Sequence, residues 1–135
     1  MPSWRAPRRA STVSFATPVW QIRTQGVAIV ALSDPDEELR ANTARVLGDL
    51  KYRNAAPDLA VNLEDDSLRV RHLSALALGE IGWAESVPAL VKLLDDIGGA
   101  DPVLRHSAVM GLLGCASDEK LLELSEHDSV HVRMA

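Results

Sequence analysis

Few residues in this chain have the type and spacing that chemistry needs. His72 and His106 each follow an arginine, Arg71 and Arg105. His127 and His131 are four apart, the spacing that places two ligands on one helix face. Asp65-Asp66 and Asp95-Asp96 are the adjacent acids that acid–base work could recruit. The single cysteine, Cys115, could be a nucleophile only if its thiol were activated.

Each candidate has a plainer reading. A metal needs each imidazole nitrogen about 2 Å away. His72 and His106 stand at matching positions of two repeated units, whose packed helices would hold them about 8–10 Å apart. Asp128 and Ser129 interrupt any helix joining His127 to His131. The acid pairs fall where helices should begin or end, and capping explains them. Cys115 falls at a position read as core. No glycine-rich phosphate loop, His-Glu-x-x-His or nucleophile elbow occurs. The sequence therefore names no catalytic, cofactor-binding or metal residue, and the expectation is a protein that is not an enzyme. Trp83, in a turn after Gly82, is either a partner anchor or a cover over the local core.

What positions these residues is a repeat. Slid along itself until Arg40 meets Arg71, the chain also lays Ala44 on Ala75, Leu47 on Leu78 and Gly48 on Gly79. The same offset lays Pro57 on Pro88, Leu59 on Leu90, Leu63 on Leu94 and Asp65 on Asp96. A third copy carries Arg105. It stands farther from Arg71 than Arg71 does from Arg40, so three residues are inserted near Ile97 to Ala100. A fourth copy starts at Ser129, and its Arg133 follows Arg105 at a shorter interval, so the third copy runs short.

Each copy reads as two helices. Leu39, Thr43, Leu47 and Leu50 recur at helical spacing, as do Val70, Ser74, Leu78 and Ile81. Asp34-Pro35 and Asp101-Pro102 look like an N-cap followed by proline at the first helical position. Asp65, Asp66 and Ser67 offer the same cap to the second copy. Gly82 suits a left-handed stop. Second helices are expected over 56–64 and 85–94, with Leu59, Leu63, Leu90, Val91 and Leu94 inward. Gly48 and Gly79 sit inside first helices, where glycine costs about 1 kcal/mol against alanine. Its recurrence at one register predicts close helix–helix approach. One hairpin cannot bury its own apolar face, so the hairpins must stack. The expected fold is all-α, an α-solenoid of stacked helical hairpins.

The pattern Asp-x5-Arg-x3-Ala-x2-Leu-Gly-x-(Leu/Ile), then Pro-x-Leu-x3-Leu-x-Asp, resembles the HEAT family, in particular the short HEAT-like repeats of the phycobilisome-lyase type. It runs from Asp34 through Arg40 to Asp65, and again from Asp65 through Arg71 to Asp96. The resemblance covers about residues 33–135. It implies a right-handed superhelix of the HEAT or armadillo type, with second helices lining a concave surface. It also implies an interrepeat ladder through Asp34, Arg40, Asp65, Arg71 and Arg105. The third copy departs from the pattern, because Gly99 stands six before Arg105 and Asp101 only four before.

Charge is segregated. Residues 1–33 hold Arg5, Arg8, Arg9 and Arg23 and no acid; the rest holds 10 basic and 19 acidic groups. An acidic body argues against nucleic acid. No stretch approaches the roughly 18 apolar residues of a membrane span. One cysteine excludes a disulfide framework within the chain and suits a reducing, cytoplasmic compartment. The arginine-rich start lacks the apolar region of a secretory signal, although an acid-free stretch with Arg and Ser also resembles an organelle transit peptide.

Residues 1–16 are expected to be a poorly ordered basic segment, and 17–135 the repeat domain. Its copies span 33–64, 65–96 and 101–128, with a truncated copy from 129. The run Val27 to Leu32 is apolar on all sides and reads as a degenerate second helix buried on two sides. With no polar capping repeat at either end, the chain reads as a piece of a longer solenoid or one needing a partner at each end; end-to-end association is one route.

The leading functional expectation is a protein–protein interaction scaffold or adaptor with an unidentified protein partner. The resemblance adds a second, an accessory role in bilin chromophore attachment. A third comes from Asp101 to Leu112, which looks like HEAT segments of large haem-bearing dehydrogenase-like bacterial proteins. The chain has no Cys-x-x-Cys-His, so a c-type haem would lie elsewhere in such a parent.

Overall fold

The computed structural model describes residues 26–135. The expectations for residues 1–16, and for the stretch up to residue 25, lie outside the described residues. Eight α-helices follow one another, with no strand among the described residues. Residues 26–31 form α1. Then come α2 (Glu37–Asp49), α3 (Ala56–Val61), α4 (Leu68–Ile81) and α5 (Val87–Ile97). The series ends with α6 (Pro102–Cys115), α7 (Asp118–Ser125) and α8 (Val130–Arg133). Single turns of 3₁₀ helix lead into α3 and α5, and another extends α3 to Glu64.

The arrangement is an α-solenoid. First helices α2, α4 and α6 lie side by side, so α4 is sandwiched. Second helices α3 and α5 pack on the first helix of the following unit, α4 and α6. One apolar core therefore runs from Leu32 to Val132 without a break. Leu47, Leu59, Leu78, Leu90, Leu94 and Leu104 are among its largest fully buried side chains.

Helix starts follow the capping chemistry, with one shift. Asp101 Oδ1 accepts from the Leu104 N–H at 2.9 Å with Pro102 as the first helical residue. Ser67 caps α4, while Asp65 Oδ1 accepts from the Ser67 N–H at 2.9 Å. At α2, Pro35 is not the first helical residue. Asp36 is the cap, accepting from Glu38 N–H at 3.0 Å, and Asp34 instead tightens the preceding turn through the Asp36 N–H. Gly82 ends α4 in the left-handed region at φ 70°.

Glycines set the spacing between first helices. A Cβ on Gly48 would stand 2.6 Å from Ala77 Cα, and one on Gly79 2.9 Å from the Met110 carbonyl oxygen. Any side chain at these positions would wedge the helices apart.

Two expectations about burial are corrected. Leu50 is 67% exposed and Leu39 43%, whereas their counterparts Ile81 and Val70 are buried. The stripe that α4 buries against α2 has no neighbour on α2 among the described residues. Likewise Val27 and Val30 are exposed, while Ala28, Ile29 and Leu32 meet the core. Among the described residues, α1 is covered on one side only.

Candidate interaction surface

The arginines of the expected ladder work chiefly as braces on the turns between units. Arg40 spans two of them. Its Nε and Nη2 donate to Asp65 Oδ2 and Oδ1 at 2.9 and 3.0 Å, a two-point grip on one carboxylate. Its Nη1 donates to the carbonyls of Asp34 and Pro35 at 2.7 and 3.1 Å. Arg133 repeats that reach-back, onto the carbonyls of His127 and Asp128 at 2.6 and 2.9 Å.

The next rung is missing. Arg71 Nε donates to the Asp65 carbonyl and makes no ion pair with Asp96. Asp65 lies past its helix in extended backbone, free to turn toward Arg40. Asp96 lies inside α5, which the inserted residues let run on to Ile97, and stands 3.7 Å from Lys92 one turn back. Lys92 also pairs with Glu64 across the units. Arg105 instead donates to the Met134 carbonyl at 2.5 Å.

Burial pushes the Asp65 carboxyl up, but the hydrogen bonds from Arg40 and the Ser67 N–H outweigh it and hold it below the usual carboxylate range. A lowered native value stabilises the fold above the ordinary carboxylate pKa. That contribution is lost as pH falls through the native value. Asp65→Asn is therefore expected to melt below the wild type at pH 7, and the gap should close below about pH 4. Melting curves across that range check this.

The histidines separate. His72 is half-buried and its Nδ1 meets Ser107 Oγ on the neighbouring helix. Burial, then the nearby His106, lowers its pKa. His106 is exposed. His127 Nδ1 accepts from the Ser129 N–H at 3.0 Å, and His131 lies beside Gly98. No group of three or more His, Cys, Asp or Glu side chains is placed to hold a metal among the described residues. Cys115 is buried, donating to the Leu78 carbonyl and accepting from Ser86 Oγ at 3.1 and 3.2 Å. Burial raises its thiol pKa, which disfavours the nucleophilic thiolate. Trp83 is half-buried against the core, so much of its ring serves as cover.

What remains open is surface. Between α3 and α5 lies a groove of about 250 Å³, lined by Ala60, Leu63, Glu64, Arg71, Lys92 and Asp96. Along the second helices Val61 and Leu122 are 73% and 70% exposed, and the same helices carry the exposed acids Asp58, Asp95, Glu119 and Glu123. A second groove, largely apolar, lies among α6, α7 and α8 between Leu113, Leu121 and Val132. The sequence pattern did not single out these grooves, because each is made by residues of two units. No described helix is long and apolar enough to cross a membrane.

Known proteins share this architecture. The complex of CpcE and CpcF of phycocyanin lyase from Nostoc sp. PCC7120 is similar to it with a TM-score of 0.65 and 26% identity, over 83% of this chain and 49% of that one. Deoxyhypusine hydroxylase of Candida albicans is 42% identical over 74 residues, 53% of this chain and 22% of the relative. The Arabidopsis thaliana hydroxylase is 36% identical over 75 residues, 54% of this chain and 23% of the relative. The chain thus spans less than a quarter of these hydroxylases and about half of the lyase chain. The family model for HEAT repeats matches residues 26–113, the stretch in which α2, α4 and α6 stack, and the chain belongs to the HEAT-repeat family.

Proposed function

We propose that this chain is a protein–protein interaction module, a HEAT-repeat scaffold or adaptor working within a larger assembly. The observation that carries the reading is the second-helix surface, where Val61 on α3 and Leu122 on α7 are exposed and an open groove lies between α3 and α5. Exposed apolar side chains rimmed by charge are the usual makings of a docking surface. The likeness to a lyase that is itself a complex of two chains supports protein partners. Affinity capture with chemical cross-linking, on the wild type and on Val61→Asp with Leu122→Asp, tests it. Cross-links from α3, α5 and α7 to one recurring protein, lost in the double variant, are expected. Recovery of no partner, or capture unchanged by the variant, would count against the reading.

The same likeness favours one second reading, an accessory subunit in bilin attachment. Mixing the chain with a bilin and its acceptor protein should then produce a new visible absorbance band. An unchanged spectrum removes that reading and leaves the scaffold reading in place.

A further inference from the structure

The chain carries its own example of what an arginine at the repeat position holds. Arg40 grips the Asp65 carboxylate through Nε and Nη2 at 2.9 and 3.0 Å, and its Nη1 donates to the carbonyl of Asp34, six residues back. Arg71 reaches the equivalent carbonyl, that of Asp65, but through Nε. The carboxylate due to it in the pattern is Asp96, which lies inside α5 and stands 3.7 Å from Lys92 instead. Both Nη groups of Arg71 are thus left without an acceptor among the described residues. Two parallel N–H donors on one guanidinium edge match a single carboxylate in two-point geometry.

Arg71 lines the groove of about 250 Å³ between α3 and α5. Apolar side chains of Ala60, Leu63, Ala89 and Leu93 line it too. Its other cation, Lys92, is shared by Glu64 and Asp96, so Arg71 is the one without a carboxylate among the described residues. Glu64 and Asp96 are exposed and repel a run of negative charge, which makes a polyanion a poor occupant. We infer that this groove takes one Asp or Glu side chain, flanked by apolar residues, from a partner protein, whose carboxylate supplies the rung that Asp96 does not. The inference rests on the interaction-module reading and names the chemistry of the partner.

Two nearer occupants fit less well. Residues 1–25 contain no Asp or Glu, so that stretch has no acidic side chain to offer. Further repeats are the other. Both walls of the groove belong to described units, and a repeat contacts only its neighbours along the stack. Repeats stacked beyond α2, or beyond α6 and α7, lengthen the solenoid without filling the space between α3 and α5.

The test uses the full chain and, as probe, a phage-displayed library of random heptapeptides. Peptides that bind the wild type and not Arg71→Gln should share one Asp or Glu beside an apolar residue. A selected peptide, made synthetically with a fluorophore, should lose about tenfold or more in affinity when its acid becomes the amide. Asp96→Asn removes a repelling carboxylate and should tighten binding about threefold. It leaves the Arg71 brace on the Asp65 carbonyl intact, so it reads the groove even if Arg71→Gln disturbs the fold. Polyglutamate should not compete. No peptide that tells the wild type from Arg71→Gln, or such peptides without an acid, overturns the inference. So does equal competition by polyglutamate, which would make the site a general anion site. So does a melting temperature lowered by Asp96→Asn as much as by Asp65→Asn, which would mean that Asp96 already occupies Arg71. A partner captured through Val61 and Leu122 but indifferent to Arg71→Gln would leave the module reading standing and overturn this one.

Discussion

Leu78→Ala is expected to destabilise the protein by about 2–5 kcal/mol, the range for buried leucines cut to alanine. Leu78 is fully buried at the middle of the stack. It belongs to α4, which is held between α2 and α6, so no outer helix can slide in to fill the space. The Cys115 thiol donates to its carbonyl, tying this turn of α4 to the end of α6. Set against the roughly 5–15 kcal/mol of a typical domain, the loss is a large fraction of total stability. Urea and thermal melts of the two proteins check it. An unchanged midpoint would mean that Leu78 does not fill the core and that the register of the repeat is wrong.

Gly114→Val should be comparably damaging for the opposite reason. A Cβ on Gly114 would lie 2.1 Å from the Gly79 carbonyl oxygen and 2.6 Å from its Cα. These are backbone atoms and cannot rotate away, so α4 and α6 would have to part. Replacing a helical glycine returns at most about 1 kcal/mol of propensity. Overpacking of this kind costs about 1–3 kcal/mol and occasionally more. At this contact distance the steric cost wins. The melting temperature should fall, and Gly114→Ala should already show the effect. A rise in melting temperature for Gly114→Ala would mean that propensity outweighs contact and that the helices are not this close.

The two substitutions differ in legibility. Leu78 lies on a helical stripe that the preceding copy repeats at Leu47, and the pattern alone assigns it to the core. Gly48 and Gly79 share a register, so their recurrence signals close approach. Gly114 has no counterpart at that register, since Leu113 aligns with Gly79. Its role follows only from where α6 crosses α4. The ladder divides in the same way. Arg40 and Asp65 pair as the family pattern implies, but Asp96 has Asp65's place in the sequence and not its backbone. The insertion just after Asp96, within Ile97 to Ala100, changes where the helix ends, and a helix end decides which way a carboxylate can turn.

By itself, the sequence determined the repeat, the helical hairpins and the stacked solenoid, and the family follows from the same pattern. These come from periodic burial and from capping chemistry, which act over a few residues and recur. Tertiary structure alone decided which faces of those helices stay open. Val70 and Leu39 carry the same signal, yet one is buried and the other exposed, because α2 lies across that stripe of α4 while no helix lies across the same stripe of α2 among the described residues. Exposure belongs to the neighbour as much as to the residue, and a repeat cannot state in its own letters whether a neighbour is there.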